Sequence, residues 1–440
     1  MSNESFLRNP NLDLLKIRAS YGKAGQSDTG AGRYPYQSIY AQNNGYGFGF
    51  NNTWVPGYME SVAGNPNSRW EISKMVNLGA DWDLWHRRLY GSIDLFKEWR
   101  SDILINRSTI PDILGISYAK DSYGKVETRG MELVIGHANK IGKVSYSVEG
   151  QLSWNRNKIT EMDETEPLVP WQRKTGRPIF EYTSVQGLYE SSFNGTVGGW
   201  NQFRFNQWAS DPNLIATSHQ DAIDHPEKYP YNSYSGGNQQ LGTAVFKDLN
   251  GDRIIDNKDK IPTGYTIMPE LTPSLAINVA YAGFDLRTVL TAYLNRSVFI
   301  SPAATFSGWS NMGTHEVVNS WGYYTDDPTD PRNMNAKYPR PLWGGFNNID
   351  SNREGDATYE NDIWIMNGDY LSLRNIEFGY SLPQHIISKI HMSQCRFYFN
   401  AYNIANWSHL PKGMDPEKPM SYCWWYPKTR TFSFGVHVTF

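Results

Sequence analysis

Apolar and polar residues alternate one for one through several long stretches of this chain. In Lys143–Asn155, Val144, Tyr146, Val148, Gly150, Leu152 and Trp154 take one face, while Lys143, Ser145, Ser147, Glu149, Gln151, Ser153 and Asn155 take the other. Successive side chains of a strand point to opposite faces, so a period of two predicts a strand with one greasy and one polar side. The same pattern sets Val76, Leu78, Ala80, Trp82 and Leu84 against Asn77, Gly79, Asp81 and Asp83. After Asp285 it sets Leu286, Leu290, Ala292 and Leu294 against Arg287, Thr291 and Asn295. It finishes on Phe432, Phe434, Val436, Val438 and Phe440, interleaved with Thr431, Ser433, Gly435, His437 and Thr439. A last strand that stops on an aromatic is characteristic of outer-membrane β-barrels, where the apolar face meets lipid and the polar face lines a lumen. A soluble sandwich would alternate in the same way, so alternation alone does not choose.

The connections choose. Roughly ten strands are predicted, near 12–24, 69–84, 88–106, 125–139, 142–158, 271–283, 285–297, 368–382, 394–407 and 428–440, most of them about 10–15 residues long, as a tilted membrane strand requires. Short turns fall at Trp85–Arg87, Lys140–Ile141, Gly283–Phe284 and Pro383–Ser393. Long, structureless loops fall at 25–68, 107–124, 159–270, 298–367 and 408–427. In an outer-membrane barrel the short turns are periplasmic and the long loops extracellular. Every gap obeys that parity, counted back from the last strand. Parity also puts Cys395 at the periplasmic end and Cys423 in an outer loop, a membrane's thickness apart and beyond disulfide reach, which predicts two free thiols.

Composition agrees with a barrel. Hydrophobic residues make up only 39% of the chain, and mean hydropathy is −0.57, yet aromatics reach 14% with 16 Trp and 28 Tyr. Half of each barrel strand is polar, and Trp and Tyr belong in interfacial girdles, so the combination suits a barrel better than a soluble globule. The 41 basic and 44 acidic residues balance nearly to zero, which gives no electrostatic footprint for nucleic acid. No window approaches 18 consecutive apolar residues, so no transmembrane helix is expected. The opening MSNESFLRNPNLDLLK lacks a basic region followed by an apolar core and does not read as a signal peptide.

Several segments together resemble one family, the SusC/RagA-type TonB-dependent transporters of Bacteroidetes-like bacteria. They are LKIRASYGKAGQ (15–26), NLGAD (77–81), YGKVETRGMELVIG (123–136), FKDLNGDRIIDNKD (246–259), GDYLSLRNIEFGYSLP (368–383), FNAYNIANW (399–407), GMDPE (413–417) and the terminal strand. Thr128 and Arg253 depart from the family pattern, where Asn and Gly are usual. The resemblance implies an all-β, transmembrane antiparallel barrel of about 22 strands filled by an N-terminal plug. Residues 1–440 would then be the C-terminal barrel portion, with plug and signal peptide absent and closure as a ten-stranded barrel the lesser alternative. It further implies import of oligosaccharides or similar nutrients, peptides included, across the outer membrane. The implied partners are a SusD-like surface lipoprotein, the TonB complex acting through the plug, and the barrel-assembly machinery reading the terminal strand. The competing reading is a surface or secreted all-β glycan-binding or adhesin module without transport.

Two constellations are candidates for chemistry. Asp248, Asn250, Asp252, Ile254, Asp256 and Asp259 offer oxygen ligands at calcium-loop spacing, the one at Ile254 being its backbone carbonyl. The same residues also make an ordinary Asp/Asn/Gly turn that needs no metal. Trp200, Trp208, Trp309, Trp321 and Trp343 lie in the two longest outer loops among amides, where they could stack on sugar rings or simply pack the loops together. Enzyme signatures are missing: there is no His-Glu-x-x-His, no Gly-x-Ser-x-Gly and no P-loop, so no catalytic residue is expected.

Overall fold

A computed structural model describes residues 9–27, 34–107, 109–111, 113, 115–167, 169–179, 200–215, 224–225, 228, 241–242, 244–252, 255, 257–299, 318–340, 362–417 and 428–440. Ten strands form one sheet: β1 (Leu12–Gln26), β2 (Glu71–Leu84), β3 (Leu89–Ile105), β4 (Asp121–Ile141), β5 (Val144–Glu161), β6 (Leu271–Tyr281), β7 (Phe284–Tyr293), β8 (Tyr370–Ser381), β9 (Gln394–Ser408) and β10 (Thr431–Thr439). Each is antiparallel to the next in chain order, the simplest up-and-down topology.

Register aligns the period-two patterns of separate strands into continuous rows. Trp82, Gly91, Ile135, Gly150, Leu275, Leu290, Leu373 and Ala405 pair in succession across eight strands. Large apolar side chains on this face are exposed, from Leu78 at 52% and Ile135 at 46% to Phe434 at 84%. A soluble protein rarely leaves so extended an apolar face to water; a barrel presents it to lipid. In β10, Phe432, Phe434 and Val436 pair with Ala401, Phe399 and Phe397, and the Phe434 ring packs on Phe399 with centroids 4.9 Å apart. No helix among the described residues is long and apolar enough to cross a membrane.

The predicted turns shift slightly. β4 runs on to Ile141, and its turn is Gly142–Lys143, where Gly142 takes φ +61°. Phe284 belongs to β7, and its turn is Ala282–Gly283. The Pro383–Ser393 connection holds a short helical turn, Gln384–Ile387. Cys395 is a buried free thiol, and Cys423 lies outside the described residues.

The outer loops are not structureless, contrary to expectation. Ile39–Phe48 and Thr53–Ala63 form a hairpin. There Gly45, at φ +72°, has a neighbour, the Val55 carbonyl oxygen, 1.7 Å from where a Cβ would sit, so only glycine fits the bulge. Farther along, Trp200–Gln202 pairs with Ile261–Thr263, Phe205–Trp208 with Ala244–Phe246, and Ser297–Phe299 with Ile365–Asn367. Strands of three or four residues whose partners lie tens of residues away leave no periodic signal. The Phe205–Trp208 and Ala244–Phe246 pair packs around a cluster of Phe203, Trp208, Phe246, Ile255 and Trp321, while Val298 of the Ser297–Phe299 pair packs with Leu410 in a cluster of its own.

Candidate functional site

Two arginines organise the polar face of the sheet. Arg18 donates to Asp81 on β2 through Nε and Nη2 at 2.9 and 2.8 Å, and to Asp94 on β3 through Nη1 and Nη2 at 2.9 and 2.8 Å. Arg396 on β9 donates to Asp285 on β7 at 2.9 and 2.5 Å, and to Glu377 on β8 at 2.7 Å. Each guanidinium crosses an intervening strand to reach the farther carboxylate, and the residue crossed is a glycine, Gly79 or Gly379.

At the outer ends of β3–β5 the polar face forms a cavity of about 210 Å³ lined by Glu98, Arg100, Thr128, Asn155 and Asn157, and roofed by Pro178, Ile179, Met268 and Pro269. Asn157 Oδ1 accepts from the Ile179 N–H at 2.7 Å, which ties the roof to the sheet. Glu98 accepts from the Ser73 hydroxyl at 2.6 Å and pairs with Arg100 at 3.5 Å. Carboxylate, guanidinium, hydroxyl and amide groups converging under an apolar roof can hold a polar, hydrogen-bonding ligand. Thr128 alone falls in a recognisable segment, YGKVETRGMELVIG, and no motif marks the others; the available signal was amides and charges persisting on the polar face where β3–β5 outrun the apolar pattern.

Of the predicted tryptophans, Trp208 and Trp321 do not line that cavity. Trp208 and Trp321 are buried together in the loop core, and Trp208 Nε1 donates to the Ala336 carbonyl at 3.0 Å. Trp200 lies in a short strand, and Trp309 and Trp343 are outside the described residues. In the candidate calcium loop, Asp248 accepts from the Gly251 N–H at 2.6 Å, and Asn250 from the Asp252 N–H at 3.0 Å. Asp259, fully buried, accepts from Leu249 and Asn250 at 2.7 and 3.4 Å. Ile254 and Asp256 lie outside the described residues. Among the described residues no three acidic, His or Cys side chains are gathered to hold a metal.

The β-barrel profile of the TonB dependent receptor-like family matches residues 6–235, more than half of the chain. The chain belongs to that family. TonB-dependent receptor P3 of Formosa agariphila is 25% identical over the whole of this chain, which covers 41% of P3. TonB-dependent receptor SusC of Bacteroides thetaiotaomicron is likewise 25% identical over the whole chain, which covers 39% of it. The chain therefore spans about two fifths of the length of the curated relatives it matches. Among solved structures, the RagAB peptide importer in its open-open state superposes with a TM-score of 0.66 at 17% identity, over 99% of this chain and 41% of that one.

TonB-dependent receptors of this SusC/RagA type are outer-membrane proteins, so the exposed apolar face meets lipid and the polar face lines the lumen. The family consists of receptors and transporters rather than enzymes. On this TonB-dependent receptor barrel the polar cavity lies at the extracellular mouth.

Another carboxylate at that mouth ties two outer connections together. Asp163 accepts from Thr109 through the backbone N–H at 3.1 Å and the hydroxyl at 3.0 Å, and pairs with Arg107 at 3.0 Å. Burial pushes its carboxyl up, but the Thr109 hydrogen bonds and Arg107 outweigh it and hold it below the ordinary range. A depressed folded value stabilises above the unfolded value of about 3.9, and that contribution disappears as pH falls from there through the folded value. Protection of the Thr109 amide, corrected for intrinsic exchange, is therefore expected to be flat above pH ~5 and to drop below pH ~4. In Asp163→Asn it should be low at all pH values. An acid-insensitive wild type would refute this assignment.

Proposed function

We propose that this chain supplies barrel wall and outer loops to a TonB-driven importer of oligosaccharides or similar nutrients, working with a SusD-like surface lipoprotein that closes over the loops. The observation that carries the reading is the loop-roofed cavity on the lumen face, with Thr128, Asn155 and Asn157 beside Glu98 and Arg100. Amides, a hydroxyl and an ion pair match a polyhydroxylated ligand, whose many donors and acceptors need partners once water is displaced. Similarity to SusC and the fold shared with a peptide importer support import as the activity.

The test compares cells carrying and lacking the gene for accumulation of labelled neutral oligosaccharides and of labelled peptides, with and without an energised inner membrane. Accumulation of an oligosaccharide should vanish on deletion and on de-energisation. Thr128→Val with Asn155→Ala should weaken its capture about tenfold, corresponding to two modest hydrogen bonds. Loss of peptide uptake alone would overturn the substrate class. Surface binding without accumulation would favour the non-transporting glycan-binding module.

A further inference from the structure

The lipid-facing surface ends abruptly on β1–β5. Ala19, Leu78, Leu95, Met131, Trp154 and Leu271 form one wholly apolar row across β1–β6. The next two rows toward the outside, on the same face, carry Lys23, Lys74, Lys97, Arg129, Arg156 and Lys158 against the single carboxylate Glu127. Three pairs put like charges directly opposite one another on neighbouring strands: Lys23 with Lys74, Lys97 with Arg129, and Arg129 with Arg156. Like charges in directly paired positions destabilise a sheet, so folding does not account for them.

Local acids offset only part of the charge. Glu127 pairs with Lys97 at 3.2 Å and Lys158 at 3.8 Å, and Glu270 with Arg156 at 3.5 Å. Lys125, one step farther out, is matched by Glu161. Arg129 lies 6.0 Å from the Trp154 ring centroid, and Lys97 lies 5.0 Å from that of Trp99. Tryptophan marks the membrane–water boundary, so these cations sit at headgroup height. Lys23, Lys74, Lys97, Arg129 and Lys158 lie on the face turned away from the lumen, while Arg156, at the edge of the patch, also lines the rim of the cavity.

We propose that this patch binds the phosphate groups of the phosphorylated glycolipid, the lipid A part of lipopolysaccharide, in the outer leaflet. The two arginines suit bidentate phosphate contacts, and the lysines supply point charge around them. Phosphate placed between Arg129 and Arg156, or beside Lys23 and Lys74, relieves the repulsion that each pair carries on the bare sheet. Basic surfaces at membrane height recognise anionic headgroups by the same physics.

The experiment measures binding of lipid A, phosphorylated or enzymatically dephosphorylated, to the full receptor in neutral detergent by native mass spectrometry. Wild type should prefer the phosphorylated form at least tenfold. Lys74→Gln/Arg129→Gln/Arg156→Gln should lose that preference while keeping heat-modifiable gel migration. Glu127→Gln, which removes only negative charge, should bind phosphorylated lipid A more tightly, and this keeps the test decisive should the triple variant fail to fold. Equal binding of both lipids, an unaltered preference in a folded triple variant, no gain in Glu127→Gln, or full competition by millimolar inorganic phosphate would each overturn the proposal.

Discussion

Gly379→Val is expected to destabilise the barrel about as much as Arg396→Ala, and the double variant no more than either. A Cβ at Gly379 would lie 2.4 Å from Arg396 Nη2 and 2.6 Å from its Cζ. Arg396 stands on β9, and its farther partner, Asp285, stands on β7 directly opposite Gly379. The guanidinium must therefore cross β8 over bare backbone. Both ends of the interaction are shielded, with Arg396 15% exposed and Asp285 and Glu377 19% each. Removing the arginine leaves two neighbouring carboxylates without their shared cation, which costs about 2–4 kcal/mol at this degree of burial. A valine at 379 displaces the same guanidinium and loses the same contacts. Because both changes remove one interaction, the cycle should show a coupling of about 2 kcal/mol or more. Urea unfolding in lipid vesicles, read by heat-modifiable migration, measures it. Additive costs would mean that the glycine serves something else. The Arg18 network over Gly79 repeats the device, but Arg18 is 37% exposed, so Gly79→Val should cost less.

The sheet was legible because every barrel strand carries its own two-sided pattern and the pattern repeats. Lys143–Asn155 can be read without knowing what it pairs with. The alternation of short turns and long loops added orientation that no single strand holds. Glycines 79 and 379 sat in recognisable segments, NLGAD and IEFGY, but their purpose depends on which arginine lies one strand away. That is register, and register emerges only when neighbouring strands are set side by side.

The loop layer was illegible for a related reason. Ala244–Phe246 is three residues long and pairs with Phe205–Trp208. Neither segment is long enough to show a period, and the pairing is non-local. The tryptophans illustrate what this costs. Aromatic residues among amides in a long loop suit both a sugar platform and a core, and composition is the same in either case. Asn333 was missed altogether. Almost fully buried, it donates through Nδ2 to the Thr325 and Asp327 carbonyls, and its Oδ1 accepts from the Gly322 N–H, fastening the turn next to Trp321.

Trp321→Ala should release this outer layer while leaving the sheet intact. The indole is 1% exposed and packs with Phe203, Trp208 and Phe246. It fills the space over Gly242, where a Cβ would come within 2.2 Å of the ring and where φ is +85°. Arg340 lies 5.7 Å from the ring centroid, and the backbone N–H of Trp321, which the substitution keeps, donates to the Tyr338 carbonyl at 3.0 Å. Truncating a buried Trp to Ala costs about 3–5 kcal/mol. Small paired segments held by this cluster and by a smaller one of Ala209 and Val245 have little else to hold them, so the loss should appear as local opening rather than global unfolding. Hydrogen exchange should rise by two orders of magnitude or more in 200–215, 241–252 and 318–340, about what 3 kcal/mol implies. β1–β10 should keep their protection and the barrel its heat-modifiable migration. Trp321→Phe, which retains most of the volume, should fall in between. Ligand capture should weaken only in step with that opening, because the ring is enclosed by protein. If Trp321→Ala abolished oligosaccharide capture while loop protection stayed at the wild-type level, the indole would be a stacking platform and not the keystone of the layer.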